Sequence, residues 1–428
     1  MKTKIFFLQL AFIFLFATHI CTAQTGIWTE LKPQNSPSPR AAFGMAEIGD
    51  NNTIIFGGID INYKSLDETW IYNFDEINWI QVNTDIHPVK RYDLRMARIT
   101  KNKVLLFGGW DTDYYNDTWI FDLDSLSWKE IKSINKPSAR RNFGLAQLYD
   151  GKVLLFGGDT IGGSYSNDTW IYENDSNNWS EFPISNLINT RPPKCEGAML
   201  AQLDTGMVLY YGGFNENEFD ETWLLDYNLK KWIKLEPKFK SVSIASSAMA
   251  NIRKNQVVFW GGDCEWQGGG AHYDELWLFN LKDTTWKKIQ TNIKPDGRYL
   301  HGISKLGQDS ILLFGGLNNN TGLEHNDTWL LTMDRIDDVR ENTFAKSENI
   351  KSYLIPDKNR NFILNGTENF SYGNLYDIYG KIIYSFSLDY TNRKCTIELN
   401  LQTLSNGIYF IVLYKNQGIK VIKILEED

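Results

Sequence analysis

Six times along the chain a short apolar run closes on a glycine pair, at Gly57-Gly58, Gly108-Gly109, Gly157-Gly158, Gly212-Gly213, Gly261-Gly262 and Gly315-Gly316. Successive pairs lie 51, 49, 55, 49 and 54 residues apart. Each pair opens a polar stretch that ends at a tryptophan: Trp70, Trp119, Trp170, Trp223, Trp277 and Trp329. In five repeats a second tryptophan follows, at Trp79, Trp128, Trp179, Trp232 and Trp286. Asp338 holds that place in the sixth, and the absent tryptophan is found far upstream as Trp28. A repeat whose last strand comes from the other end of the chain describes a closed ring.

The unit beginning at Arg140 shows the pattern within one repeat. A small-residue strand spans 144–148, a turn follows at Asp150-Gly151, and an apolar strand runs over 153–156. A polar loop is expected over 159–167, then a third strand at 169–172 and a fourth starting at Trp179. Four short strands at a period near 50 are the sequence form of a β-propeller blade. The glycine pairs suit a close approach of neighbouring chain, and the tryptophans supply surface to fill the wedge between blades.

The Gly-Gly pair, the Asn-Asp-Thr-Trp run at 116–119, 167–170 and 326–329, and the later tryptophan resemble the kelch repeat over residues 24–332. The resemblance implies an all-β, six-bladed kelch β-propeller, with the Trp28 strand completing blade six. Residues 333–351 have no period and read as a linker. The remainder, 352–428, carries Tyr-Asp-x-x-Gly-Lys at 376–381 and Leu-x-x-Gly-Ile-Tyr at 404–409, then a Lys-containing terminal strand. It resembles the C-terminal sorting domain of the type IX secretion system of Bacteroidetes, although it lacks the usual Tyr-Pro-Asn-Pro opening. That resemblance implies a small immunoglobulin-like β-sandwich, the type IX secretion machinery as partner, and a secreted or outer-membrane surface location.

The N-terminus agrees with export. Lys2 and Lys4 precede an apolar stretch over 5–17 and a small residue at Ala23, the layout of a signal peptide of residues 1–23. That stretch is short for a transmembrane helix, and no other segment is long enough. With 44 basic against 52 acidic side chains, the balance argues against nucleic acid as a partner.

Ligands of such a propeller are expected on the face built by the loops after Gly-Gly and those entering each first strand. Arg40, Arg91, Arg140 and Arg298 recur 17 residues before a glycine pair. They would suit carboxylate, phosphate or acidic-peptide recognition at the channel mouth, or else hold loop carbonyls and acids in place. Blades four and five break the series with Cys195 and Ile244. Aromatic loops add Trp110, Tyr114, Trp266 and His272 as candidate contacts for an extracellular glycan or protein ligand. A kelch-type sialic acid mutarotase works with a glutamate and an arginine near the channel, so Glu196, Glu216, Glu218 or Glu265 beside an arginine would give a sugar-processing enzyme. A purely structural surface protein is the third reading. No motif calls for a cofactor or a metal ion. Cys195 and Cys264, in adjacent blades, are expected to come close enough for a disulfide.

Overall fold

The computed structural model describes residues 26–333, apart from 150, 184–189, 240, 264–272, 292, 308 and 319–322, together with the strands between 355 and 426. The chain divides into two units, Met1–Asp338 and Val339–Asp428. The first is a six-bladed β-propeller. Blade one comprises Gly44–Ile48, Asn52–Phe56, Thr69–Asn73 and Asn78–Val82, hydrogen-bonded antiparallel in sequence order. Blades two, four and five repeat that order. Blade three carries an additional short strand, Arg140–Arg141.

Blade six closes the ring. Gly302–Lys305, Ser310–Phe314 and Thr328–Met333 supply its inner three strands, and Gly26–Leu31 pairs antiparallel with Thr328–Met333, setting Trp28 opposite Leu331. The closure expected from the displaced tryptophan is therefore a six-residue strand pairing the two ends of the propeller.

The apolar core lies between blades rather than within them. The buried clusters join blades one and two, two and three, three and four, four and five, five and six, and six and one. A four-stranded blade cannot bury both faces alone, so neighbours supply the missing contact around the ring. The later tryptophans occupy these seams. Trp128 donates its indole N–H to Thr69 of the preceding blade at 2.9 Å, and Trp79, Trp179, Trp232 and Trp286 do likewise to Thr328, Thr118, Thr169 and Thr222.

Two closed circuits of backbone hydrogen bonds encircle the axis. Ala42, Asp93, Asn142, Gly197, Ser246 and Leu300 all have positive φ. Each donates its N–H to the carbonyl of the equivalent residue in the preceding blade, at 2.8–3.2 Å, and Ala42 completes the circuit on Leu300. In the second circuit the second glycine of each pair donates to the next blade, from Gly58 to Arg91 through to Gly316 and Arg40. The first glycine must be bare for that approach: a Cβ on Gly57 would lie 2.6 Å from the Arg91 carbonyl oxygen.

One loop departs from expectation. Residues 159–167 form no polar loop but a hairpin, since Lys152–Thr160 and Ser164–Glu173 pair past the glycines, with Thr160 opposite Ser164. Gly162 and Gly163, both at positive φ, supply the turn.

In the second unit the described residues form two antiparallel sheets. Ile355–Pro356, Phe362–Asn365 and Lys394–Ile397 form one; Ile382–Ser387, Tyr372–Asp377, Gly407–Lys415 and Gly418–Glu426 form the other. Among the described residues no helix is long and apolar enough to cross a membrane.

Candidate functional site

The four recurring arginines do not face a ligand. Arg40, Arg91, Arg140 and Arg298 are all 0% exposed. Arg140 shows what their guanidiniums do: Nη1 donates to the Gly157 carbonyl at 2.8 Å and to Asp168 at 2.6 Å, while Nη2 donates to Asp168 at 2.8 Å. Arg91 with Asp117 and Arg298 with Asp327 are bidentate in the same way, and Arg40 pairs with Glu68. Each acid also accepts the indole N–H of the tryptophan two residues later, as Asp168 does from Trp170 at 2.7 Å. Burial works to raise the carboxyl pKa of Asp168, but the hydrogen bonds and charge of Arg140, with the Ser166 and Trp170 hydrogen bonds, together hold the group below its ordinary value. The expectation that these four arginines form an anion-recognising ring is thus corrected. Their charge is spent on an internal carboxylate, and each pins the loop after a glycine pair.

Blades four and five supply an internal control. Their acids, Glu221 and Glu275, keep the indole bonds to Trp223 and Trp277. With Cys195 and Ile244 in the arginine places, Lys234 and Lys288 on the outer strands bind the acids instead. The acid is held in every blade, and only the cation's source changes. Cys195 is buried and lies 3.5 Å from the Tyr210 hydroxyl. Burial pushes its thiol up to about 12. Its expected partner Cys264, with Trp266, His272 and Glu265, lies outside the described residues.

The site emerges at positions where the blades differ. Immediately after each arginine position and each glycine pair, two residues bridge across the loop face: Ala41 with Ile59, Tyr92 with Trp110, Arg141 with Asp159, Glu196 with Phe214, Ala245 with Asp263, and Tyr299 with Leu317. The bridges of blades two, three and four combine aromatic rings with charge. Two of the sequence candidates, Trp110 and Tyr114, lie here. Trp110 meets Tyr92 edge-on at 5.3 Å. The Arg141 guanidinium stands 5.8 Å from the Trp110 ring centroid and 5.9 Å from that of Tyr114. Arg141 and the Tyr114 hydroxyl both donate to Asp159, at 2.9 and 2.8 Å.

Toward the axis the same three blades continue the polar network. Arg95 donates to Asn142 Oδ1 at 2.8 Å, and Asn142 Nδ2 donates to Glu196 at 3.1 Å. Tyr165 reaches Glu196 at 3.4 Å. Asp93 lies 3.6 Å from Arg141. Burial pushes the Asp93 carboxyl up to about 6, with Glu196 and Asp159 adding to the rise and Arg95 and Arg141 opposing it. Arg141 is partly buried, which works against its charge, yet Asp159 and Asp93 raise its pKa above the ordinary value.

Below this rim an axial cavity of about 100 Å³ is lined by the first strands. Arg95, Asp93, Arg141, Asn142 and Asp159 escaped the sequence reading because it looked for residues that recur. The usable signal was the opposite one: positions one, two and four after the arginine register and the first position after the glycine pair, where the six repeats disagree.

A family model described as the KLHDC2/KLHL20/DRC7 Kelch-repeats domain matches residues 13–148 and 85–262, which together span more than half of the 428 residues. A second, the secretion system C-terminal sorting domain, matches 356–426. Among curated proteins, an F-box/kelch-repeat protein of Arabidopsis thaliana is 34% identical over 90 residues, 20% of this chain and 18% of its own length. Kelch domain-containing protein 2 of Bos taurus is 34% identical over 103 residues, 22% and 23% respectively. The flagellar outer-arm dynein alpha chain of Chlamydomonas reinhardtii is 26% identical over 132 residues, 30% of this chain and 3% of the dynein. The chain thus spans less than a quarter of each of these relatives. The solved structure of YjhT superposes with a TM-score of 0.55 at 15% identity, covering 71% of this chain and 99% of that one, a likeness of fold.

Proposed function

This chain belongs to the kelch-repeat family and ends in a secretion-system sorting domain, and from that premise we propose that it is a recognition protein of the cell exterior, whose ligand sits over blades two to four. Export by the type IX system follows from the sorting domain, which makes the protein secreted or surface-attached. Residues 1–23 act as the signal peptide for the first membrane, so N-terminal sequencing of the exported protein should begin at Gln24.

The observation that carries the binding reading is the run of three adjacent bridges that together hold three rings and three charges, at Tyr92, Trp110, Arg141, Asp159, Glu196 and Phe214, where blade one holds Ala41 and Ile59, blade five Ala245 and Asp263, and blade six Tyr299 and Leu317. Aromatic faces beside hydrogen-bonded charges suit a glycan or a short peptide segment. An acid–base sugar enzyme would want glutamate and arginine in contact at the channel; here Asn142 stands between Arg95 and Glu196. The test is a glycan and peptide array probed with the full chain and with Trp110→Ala and Arg141→Ala variants. Binding by the wild type, lost in both variants, supports the site. Equal binding by all three removes it from these blades.

A further inference from the structure

Three carboxyls and two guanidiniums meet at the channel end of blades two to four: Asp93, Asp159 and Glu196 against Arg95 and Arg141. With all five ionised, the group is one positive charge short of neutral. Its hydrogen bonds are uneven as well. Arg95 donates to the Leu94 carbonyl and to Asn142, and Glu196 accepts from Asn142 and Tyr165, all uncharged partners. Arg141 alone reaches the acids: Nε donates to Asp159 Oδ2 at 2.9 Å, and Nη1 lies 3.6 Å from Asp93 Oδ2.

Two acceptors are left over beside Arg141. Asp159 is 4% exposed, and its Oδ1 is buried with no hydrogen-bond partner among the described residues. Asp93 is 7% exposed, and among the described residues its carboxyl accepts no hydrogen bond. Unmet buried acceptors and under-compensated charge are costly to a folded chain. Backbone geometry does not account for Asp93 either. It stands at φ 53° in the circuit around the axis, and blade three meets the same requirement with the uncharged Asn142 at φ 49°. The surrounding rings suit positive charge, since Trp110 and Tyr114 already flank the Arg141 guanidinium at 5.8 and 5.9 Å.

We propose that this rim takes a ligand ammonium group, held by the Asp93 carboxyl and Asp159 Oδ1, so that the charge of the bound complex closes. The inference rests on the binding reading above and adds the ligand's chemical class: a primary amine, carried by an amino sugar or by the lysine of a peptide. An ammonium offers three donors and no acceptor, which matches a place whose spare capacity is acceptors alone. Bonds from a charged donor to a carboxylate are also the stronger kind.

The experiment is calorimetric titration of the full chain at about pH 7, where Asp93 is ionised. Two matched pairs serve as probes: glucosamine against N-acetylglucosamine, and an end-blocked Gly-Lys-Gly peptide against its Nε-acetyl form. In at least one pair the amine should bind about tenfold more tightly than the acetylated member. Asp93→Asn, the side chain blade three carries at this register, should abolish that preference and leave affinity for the acetylated member unchanged. Its Tm should be no lower than that of the wild type, which separates loss of recognition from loss of fold. The pair that shows the preference identifies a sugar or a peptide source. Acetylated members binding as well as the amines would overturn the ammonium position and leave the binding reading standing. A preference that survives Asp93→Asn would also overturn it. No binding by any of the four would count against both.

Discussion

Trp28 meets Trp260 edge-on at 5.3 Å between ring centroids, and among the described residues neither indole N–H has a hydrogen-bond partner. At the other five seams the outer-strand tryptophan donates to a threonine of the preceding blade. Blade five carries Leu276 where that threonine would stand, so the strand that closes the ring is held by packing and backbone pairing without the indole bond of the other seams.

The seams should therefore respond unequally to loss of the indole N–H. Trp179→Phe leaves the buried Thr118 hydroxyl without its partner, a loss of about 1–2 kcal/mol beyond the packing change. Trp28→Phe removes a donor that was already unpaired, so its cost should be smaller by about that amount. Urea denaturation of the two variants measures the difference, and equal costs would contradict the assignment.

The repeat-register arginines should behave as structural groups. Arg140→Ala strands the Asp168 carboxylate and should cost about 3 kcal/mol, the low end for a buried pair because the Asp168 side chain is 24% exposed. Lys234→Ala, which removes the substitute cation of blade four at 41% side-chain exposure, should cost less than about 1 kcal/mol. Thermal melts of both, with ligand binding measured alongside, separate stability from recognition.

His301 should make the propeller acid-sensitive. Its ring takes the place that Phe43 and Phe143 hold in blades one and three: His301, Phe43 and Phe143 all crowd the first glycine of a neighbouring pair, at Gly261, Gly315 and Gly108. Burial, with Arg298 next, pushes its pKa down to about 3. The unfolded chain then takes up a proton below about pH 6.5 that the folded chain refuses until about 3. Stability falls across that window by roughly 1.4 kcal/mol per unit. His301→Phe should flatten the stability profile between pH 6.5 and 4.

Asp93 should act with the opposite sign. Its folded pKa of about 6 lies above the ordinary 3.8, so between those values the folded state keeps a proton the unfolded chain has released. Stability contributed by that proton is lost as pH rises through the window, and the full penalty, at most about 3 kcal/mol, applies above pH 6. Asp93→Asn should gain on the wild type from pH 4 to 6 and hold a constant advantage above it. Parallel curves would show that Asp93 titrates normally.

The repeat was legible because blade formation is local: alternating strands, glycine pairs and seam tryptophans are written within about 50 residues, and the displaced Trp28 reveals where the ring closes. Part of the arginines' role was also on the page. An acid precedes each inner tryptophan by two residues, and lysine stands two residues after Trp232 and Trp286 in the two blades that lack the arginine. What recurrence cannot show is which recurring charge is already spent. That depends on partners 17 to 29 residues away in the same blade.

By itself, then, the sequence determined the blade count, the closure and the sorting tail, since each rests on short-range pattern. Only the tertiary structure decided which side chains come together at the candidate site. Closing the ring brings Asp93, Arg95, Asn142 and Glu196, from three different repeats, to one end of one channel. It buries the conspicuous arginines against carboxylates and leaves the inconspicuous Arg95 lining the cavity, hydrogen-bonded to neutral oxygens.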